Sequence, residues 1–264
     1  MSSNFINTTR DHKFILKEWL DLTKVLETDR FKDGYTVDDI DFILDNALKG
    51  AKEVVAPTNE DADKIGGTYV DGHARMTESC KTAYHFIQQN GFCSSNKDRN
   101  DPSAVPLSVM WAMMEFMIGA NPHIGTILAG PAAGGEVLEE FASEYLIKMY
   151  AGRLFSGEWT ATMCLTEPSA GSDVGDQTTK AYPTEEPGIY NIKGTKCFIS
   201  HAENSICDNT IHLVLARIEG AAPGTKGLSL FVIPQYFSDM DGTILGSNDV
   251  SVSGIEHKLG IKGN

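Results

Sequence analysis

The sequence predicts an α+β chain, helical up to about Gly157 and built of strands after it. Two observations carry this reading. Through most of the first 157 residues, apolar side chains return every three or four positions, the spacing of a helix face. Past Gly157 the apolar period shortens to about two, the spacing of a strand. Gly152 and Gly157 punctuate the change, and no internal repeat or low-complexity tract interrupts either half.

Taken in order, residues 14–27 predict a helix with Ile15, Trp19, Leu22 and Leu26 on one face. Thr36 followed by Asp39 reads as a variant capping box. Behind it, Ile40, Ile43, Leu44, Ala47, Leu48, Ala51, Val54 and Val55 keep helical spacing until Pro57, expected to end the helix. Residues 59–75, with Gly66-Gly67 and Asp71-Gly72, read as a turn-rich excursion. A helix over 76–89 stops at Asn90-Gly91, and residues 93–106 are polar and irregular. Residues 107–119 predict a buried helix. The apolar stretch around it, 104–120, contains Pro106 and Glu115 and is too short to span a membrane comfortably. A further segment from Asn121-Pro122 through Leu128 is expected to break at 131–135. An amphipathic helix over 136–150 should then bury Val137, Leu138, Phe141, Tyr145, Leu146 and Met149. Strands are expected at 160–166, 188–193, 196–200, 210–218 and 227–234, with a turn-rich stretch leading to 251–255.

Composition excludes several classes. The 264 residues, 41% hydrophobic and 22% charged, suit one large or two ordinary globular domains. A formal net charge of −14 argues against nucleic-acid or anionic-membrane partners. Five cysteines (Cys80, Cys93, Cys164, Cys197, Cys207), odd in number and without a C-x-x-C pair, favour reduced thiols in a cytoplasmic compartment. Residues 1–10 are polar, without the apolar core of a signal peptide. His201, His212 and His257 lack metal-ligand spacing, so no metal site is expected.

The chemistry concentrates in residues 160–200. An apolar run with β-favouring threonines ends at Thr166, then Glu167-Pro168-Ser169-Ala170-Gly171-Ser172-Asp173 follows. Pro168 forbids a continuing central strand, and Gly171 lets backbone approach a ligand closely. Together with Phe198 and Ser200, this offers hydroxyls, loop amides and one aromatic face, the mixture that a flat polar heterocycle carrying a diphosphate needs. The alternative is a hydroxyl-rich connection whose Thr and Ser satisfy local backbone. Glu167 reads as an acceptor for loop amides. The Gly-Thr-Lys triplets at Gly194 and Gly224 lack the preceding glycine spacing of a phosphate loop. Met110, Met113, Met114 and Met117 form either plain core or the wall of a ligand pocket.

Met163-Cys164-Leu165-Thr166-Glu167-Pro168 with Ala170-Gly171-Ser172-Asp173 resembles the flavin signature of acyl-CoA dehydrogenases. Lys193-Gly194-Thr195-Lys196-Cys197-Phe198-Ile199-Ser200 resembles that family's second flavin-contacting segment. The long entry from Phe14 to the Thr36 helix and the ending 255–261 are similar to the larger members, including 3-methylmercaptopropionyl-CoA dehydrogenases. The resemblance implies a helical N-terminal domain (1–157) and a middle antiparallel β-barrel or sandwich domain (158–264), with the family's C-terminal helical bundle expected beyond Asn264. It implies FAD as cofactor and oxidation of an acyl-CoA thioester to the trans-2-enoyl-CoA. An electron-transfer flavoprotein would be the acceptor, and the full-length assembly a homodimer or homotetramer.

Carried over by position, Met163 and Leu165 would line the flavin and Thr166 would bond its pyrimidine edge. Gly171 would let the loop approach, and Ser172 would touch both the pyrophosphate and the substrate's pantetheine arm. Phe198, where relatives often have Trp, would pack on the flavin face, with Ile199 beside it. Ser200, where Thr is more usual, would donate near flavin N5. The carboxylate base would lie beyond Asn264, so Glu115, Glu167 and Glu256 are not assigned to it, and residues 1–264 alone are expected to bind FAD weakly or not at all. The polar 93–106 replaces a Gly-rich loop common near the acyl pocket. An acyl-CoA oxidase-like or nitroalkane-oxidase-like flavoenzyme, and a flavin-fold interaction module without catalysis, remain open as alternatives.

Overall fold

The computed structural model describes residues 5–92 and 103–263. Met1–Asn4, residue 264 and most of the polar 93–106 segment, Cys93 included, lie outside them. Helix α1 (Arg10–Phe14) widens into a π-type turn at Ile15–Trp19, and α2 (Thr23–Leu26) follows a reversal at Asp21, where φ is 51°. The helix expected over 14–27 is therefore two pieces with different phase. Leu16, Leu22 and Leu26 are buried, while Ile15 and Trp19 are exposed.

The box at Thr36 forms as read. The Asp39 amide donates to the Thr36 hydroxyl at 3.2 Å, and the Asp39 carboxylate accepts the Thr36 amide at 2.8 Å. It starts α3 (Val37–Gly50), which buries Ile40, Leu44 and Ala47. Thr36→Ala should lower stability by about 1 kcal/mol, read from the urea midpoint. Pro57 does not end the helical run. It sits in the first turn of a 3-10 segment, Ala56–Thr58, where its missing N–H costs little, and α4 (Asn59–Lys64) continues the chain.

The expected excursion contains a hairpin. Asp71 (φ 54°) and Gly72 (φ 83°) join β1 (Thr68–Val70) to β2 (His73–Arg75), the left-handed pair that a twisted two-residue hairpin requires. Thr77 caps α5 (Glu78–Gln89), and Gly91 at φ 74° follows its end. The methionines of α6 (Leu107–Ala120) pack in the helical core with Leu44, Tyr84 and Ile87.

Residues 131–135 do not break the chain. Helix α7 (Gly125–Phe141) runs through Pro131, and its glycines serve close packing. A Cβ on Gly134 would stand 2.5 Å from the Ala161 Cβ, and one on Gly135 2.6 Å from the Phe155 ring. The break falls later, at Ala142 and Ser143, before α8 (Glu144–Leu146), a π-type turn and α9 (Gly152–Phe155). Phe141 and Tyr145, expected in the core, consequently point outward.

Strand β3 (Thr160–Cys164) pairs in parallel with β6 (Thr210–Ile218), whose other edge carries antiparallel β7 (Leu228–Pro234). Beyond β3, the end of β6 also pairs in parallel with β4 (Lys180–Pro183), to which β5 (Tyr190–Lys193) is antiparallel. Helices followed by an open β layer match the expected α+β class, and the described sheets do not close into a barrel. The pairing is mixed, not uniformly antiparallel, because the long connection from 165 to 209 lets β6 return alongside β3 in the same direction. Residues 196–200 are not a strand: Phe198 (φ 57°) and His201 (φ 55°) turn the chain out of extended geometry. No strand forms at 251–255 either; the last pair is the hairpin of β8 (Tyr236–Ser238) and β9 (Ile244–Ser247).

Trp159, Ala161, Ile211 and Leu213 share a core with Leu138, Met149, Tyr150 and Leu154, so the sheet and α7–α9 bury one another. A boundary at Gly157, dividing 1–157 from 158–264, stays our proposal, with α9 ending at Phe155 and β3 starting at Thr160. No helix among the described residues is long and apolar enough to cross a membrane.

Candidate cofactor site

Alternation along β3 places Ala161 and Met163 on one face, with Leu165 next in that register. Helix α7 covers Ala161, because Gly130 and Gly134 admit it, and stops short of the other two. Met163 is left 46% exposed and Leu165 37%. On the opposite face, the Thr162 hydroxyl lies 2.8 Å from His212 Nδ1 and 3.3 Å from Cys164 Sγ. Burial pushes His212 down to about 4, so the ring is neutral at pH 7 and belongs to the core.

Past β3, Glu167 and Ala170 close the loop on themselves through two backbone bonds of 2.9 and 3.2 Å. The Cys197 amide donates to the Thr166 carbonyl at 2.9 Å, which joins the first motif to the second. Phe198 projects from this junction, 68% exposed. Its left-handed φ is unusual for a bulky side chain. Ile199 and Ser200 are half-buried, and Gly171 and Ser172 lie on the open side of the loop. Among the described residues, the hydroxyls of Thr166, Ser172 and Ser200 and the amides of Gly171 and Ser172 have no hydrogen-bond partner. A Cβ at Gly171 would touch just the Thr166 methyl, at 3.7 Å, so the bareness there faces outward and not toward the protein.

Two buried side chains hold this arrangement. Glu167 accepts from the Thr178 amide (2.7 Å), the Thr178 hydroxyl (2.8 Å), the Thr179 amide (3.0 Å) and Lys196 Nζ (2.9 Å). Desolvation would raise its pKa, but the bonds from Thr179, Thr178 and Lys196 outweigh it and hold the carboxylate at about 2. Glu167 is thus a permanently ionised acceptor, as its place beside loop amides suggests. Lys196 and Gln177 were not marked by sequence reasoning; the available signal was a pair of lysines, Lys193 and Lys196, in the second motif and a pair of acids, Glu167 and Asp173, in the first. His201 adds a third tether, Nε2 to the Thr126 hydroxyl of α7 at 2.8 Å. Burial and Lys258 lower His201 to about 3, so this tether is neutral. Glu115 sits 3.2 Å from His12, far along the chain from these motifs.

The site is therefore an open shelf at the end of β3. Three apolar side chains protrude beside hydroxyls and amides left unsatisfied, and a buried ion pair lies beneath. A flat heterocycle with a polar rim and a diphosphate tail fits that donor set.

Residues 162–264 match the family described as acyl-CoA dehydrogenase, middle domain. Over 264 residues the chain is 40% identical to a butyryl-CoA dehydrogenase of Syntrophomonas wolfei, covering 99% of this chain and 43% of that protein. It is 32% identical over 227 residues to a 3-methylmercaptopropionyl-CoA dehydrogenase of Ruegeria pomeroyi, covering 86% of this chain and 38% of that one. The crystal structure of Caenorhabditis elegans ACDH-11 in complex with C11-CoA shares the fold over 100% of this chain and 44% of its own, with a TM-score of 0.76 at 18% identity. The chain spans less than half the length of these relatives. Both motifs are seated on the same shelf, residues 162–264 belong to the acyl-CoA dehydrogenase middle-domain family, and the chain is similar to a butyryl-CoA dehydrogenase along 99% of its own length.

Proposed function

We propose that this chain supplies the flavin-holding part of an FAD-dependent acyl-CoA dehydrogenase. The observation that carries the reading is the shelf: Met163, Leu165 and Phe198 exposed beside the unpartnered hydroxyls of Thr166, Ser172 and Ser200. Bound there, FAD would supply the acceptor for the hydride leaving the β-carbon of an acyl-CoA, giving the trans-2-enoyl-CoA. The protein's part is positioning and charge stabilisation. Met163 and Leu165 give the ring apolar support, and Phe198 packs on one face. The Thr166 hydroxyl donates to the pyrimidine edge. Ser200, held by the His201–Thr126 tether beside it, donates where negative charge gathers on reduction. The amides and hydroxyl at Gly171 and Ser172 take the pyrophosphate, and Ser172 also meets the pantetheine arm of the substrate.

Glu167 cannot remove the α-proton, because it is bonded to Lys196 and two threonines and ionised with a pKa of about 2, too weak a base for the task. We assign that proton to a carboxylate in the portion of the relatives' length that this chain does not span. An electron-transfer flavoprotein as acceptor, a homodimer or homotetramer, and a cytoplasmic setting complete the proposal.

The test is an FAD titration of residues 1–264 beside a form extended to the length of its relatives, followed by anaerobic addition of butyryl-CoA. The extended form should bind FAD and lose its visible flavin absorbance with the thioester. Thr166→Val should weaken FAD binding about tenfold, the worth of one hydrogen bond. An extended form that binds FAD yet ignores every acyl-CoA would overturn the assignment.

A further inference from the structure

Lys196 makes a set of contacts that the flavin assignment does not use. Its ammonium donates to the Leu165 carbonyl at 3.0 Å, the Glu167 carboxylate at 2.9 Å and the Gln177 side-chain oxygen at 2.8 Å. An ammonium has three protons, so each has one acceptor and none is left for a ligand. The side chain of Lys196 is 10% exposed and that of Glu167 1%, which makes the pair a buried one. The three acceptors come from the end of β3, the loop after it and the short helical turn leading to β4. The residue after Lys196 makes the Cys197–Thr166 backbone bond. The side chains that protrude on the shelf, Met163, Leu165 and Phe198, are therefore each within three residues of Glu167 or Lys196 or of an atom they hold, and Ser200 lies four residues past Lys196.

We propose that Lys196, through its three bonds, is the positioning residue of the cofactor site, setting the register between the two flavin-contacting segments. It touches neither flavin nor substrate. It fixes the Leu165 carbonyl, and hence the direction of Thr166. It also fixes the start of the turn in which Phe198 takes its left-handed conformation. That conformation is unfavourable for Phe in isolation and persists where its surroundings overdetermine it. The ammonium and the Cys197 amide on one side, and Glu167 with its threonine donors on the other, provide that surrounding. Removing Lys196 takes a donor from each of three acceptors and leaves the buried Glu167 carboxylate, still bonded to Thr178 and Thr179, without its counter-charge. The loop must then rearrange to bring water in. The assignment rests on the flavin reading of this same shelf.

The experiment compares Lys196→Met and Gln177→Met with the unaltered 264-residue chain. Backbone amide hydrogen exchange is read at Cys197 and across 165–172, and FAD binding is titrated by flavin absorbance and fluorescence. Lys196→Met should raise exchange at Cys197 about tenfold or more, while amides of α3 and α5 exchange nearly as before. FAD affinity should fall by a similar factor. Gln177→Met removes one acceptor and keeps the ion pair, so it should change both readings in the same direction by less. It covers the case in which Lys196→Met does not fold. Unchanged exchange at Cys197 in Lys196→Met, or in Gln177→Met if that alone folds, overturns the proposal, as does unaltered FAD affinity alongside faster exchange. If no chain, unaltered or variant, perturbs FAD while the exchange difference is present, the clasp between the segments stands. The flavin reading of the shelf then fails separately if the form extended to the length of its relatives also leaves FAD unperturbed.

Discussion

Gly130→Ala is expected to destabilise the protein by roughly 2–3 kcal/mol, measured as a shift of the urea midpoint at unchanged slope. The sign is the informative part. Inside a helix, replacing glycine by alanine ordinarily stabilises by about 1 kcal/mol, because glycine loses more backbone freedom on folding. Gly130 lies inside α7, so propensity alone gives a more stable variant. The structure reverses this, since a Cβ there would stand 2.4 Å from the Ala161 carbonyl oxygen. That oxygen belongs to the backbone of β3 and cannot rotate away, so the helix must lift from the sheet. Lifting it would loosen the core of Leu138, Leu154, Trp159 and Ile211 and shift the strand that carries Met163. A variant more stable than the parent would mean that α7 does not lie on β3 as described.

Acid stability should depend on Glu167 more than on any exposed carboxylate. Its folded pKa is depressed from 4.5 to about 2, so its contribution is fully present above the unfolded value and is lost as pH falls from about 4.5 towards 2. A shift of about 2.5 units corresponds to roughly 3 kcal/mol at neutral pH. Glu167→Gln should therefore lose about 3 kcal/mol at pH 7, leaving Lys196 buried without its counter-charge. The gap between variant and parent should close as pH drops below 4. Urea unfolding at pH 7, 5 and 3.5 measures it, and a gap that stays constant over that range would contradict the account. Surface pairs such as Lys24–Asp21 are expected to contribute far less, being exposed and screened.

What could be read from the chain follows from how local each cause is. The Thr36–Asp39 box and the helix end at Gly91 are set by neighbouring residues, and both were legible. The turn of the chain from helix to strand was legible because period reports which face is buried. Glycines misled where their reason was distant. Gly134 and Gly135, within the expected break at 131–135, answer to Ala161 and Phe155, which periodicity cannot see. Phe141 and Tyr145 fit a buried helical stripe, but the break at Ala142 put them outside. Strand β4, Lys-Ala-Tyr-Pro, is too short to announce itself, and parallel pairing to β6 is a tertiary choice. In the candidate site, motif words singled out Thr166, Ser172, Phe198 and Ser200, and the structure joins the two segments through Cys197 and Thr166. The support beneath them, Lys196 and Gln177, became visible when the distances from Lys196 to Glu167 and Gln177 were known.

The most direct test of the central claim is an amide chemical-shift map of residues 1–264 titrated with FAD. The flavin reading predicts perturbations concentrated at 163–172 and 197–200, with smaller changes at Thr126 through His201. Perturbations confined to the helical face around Trp19 and Phe42 would contradict it.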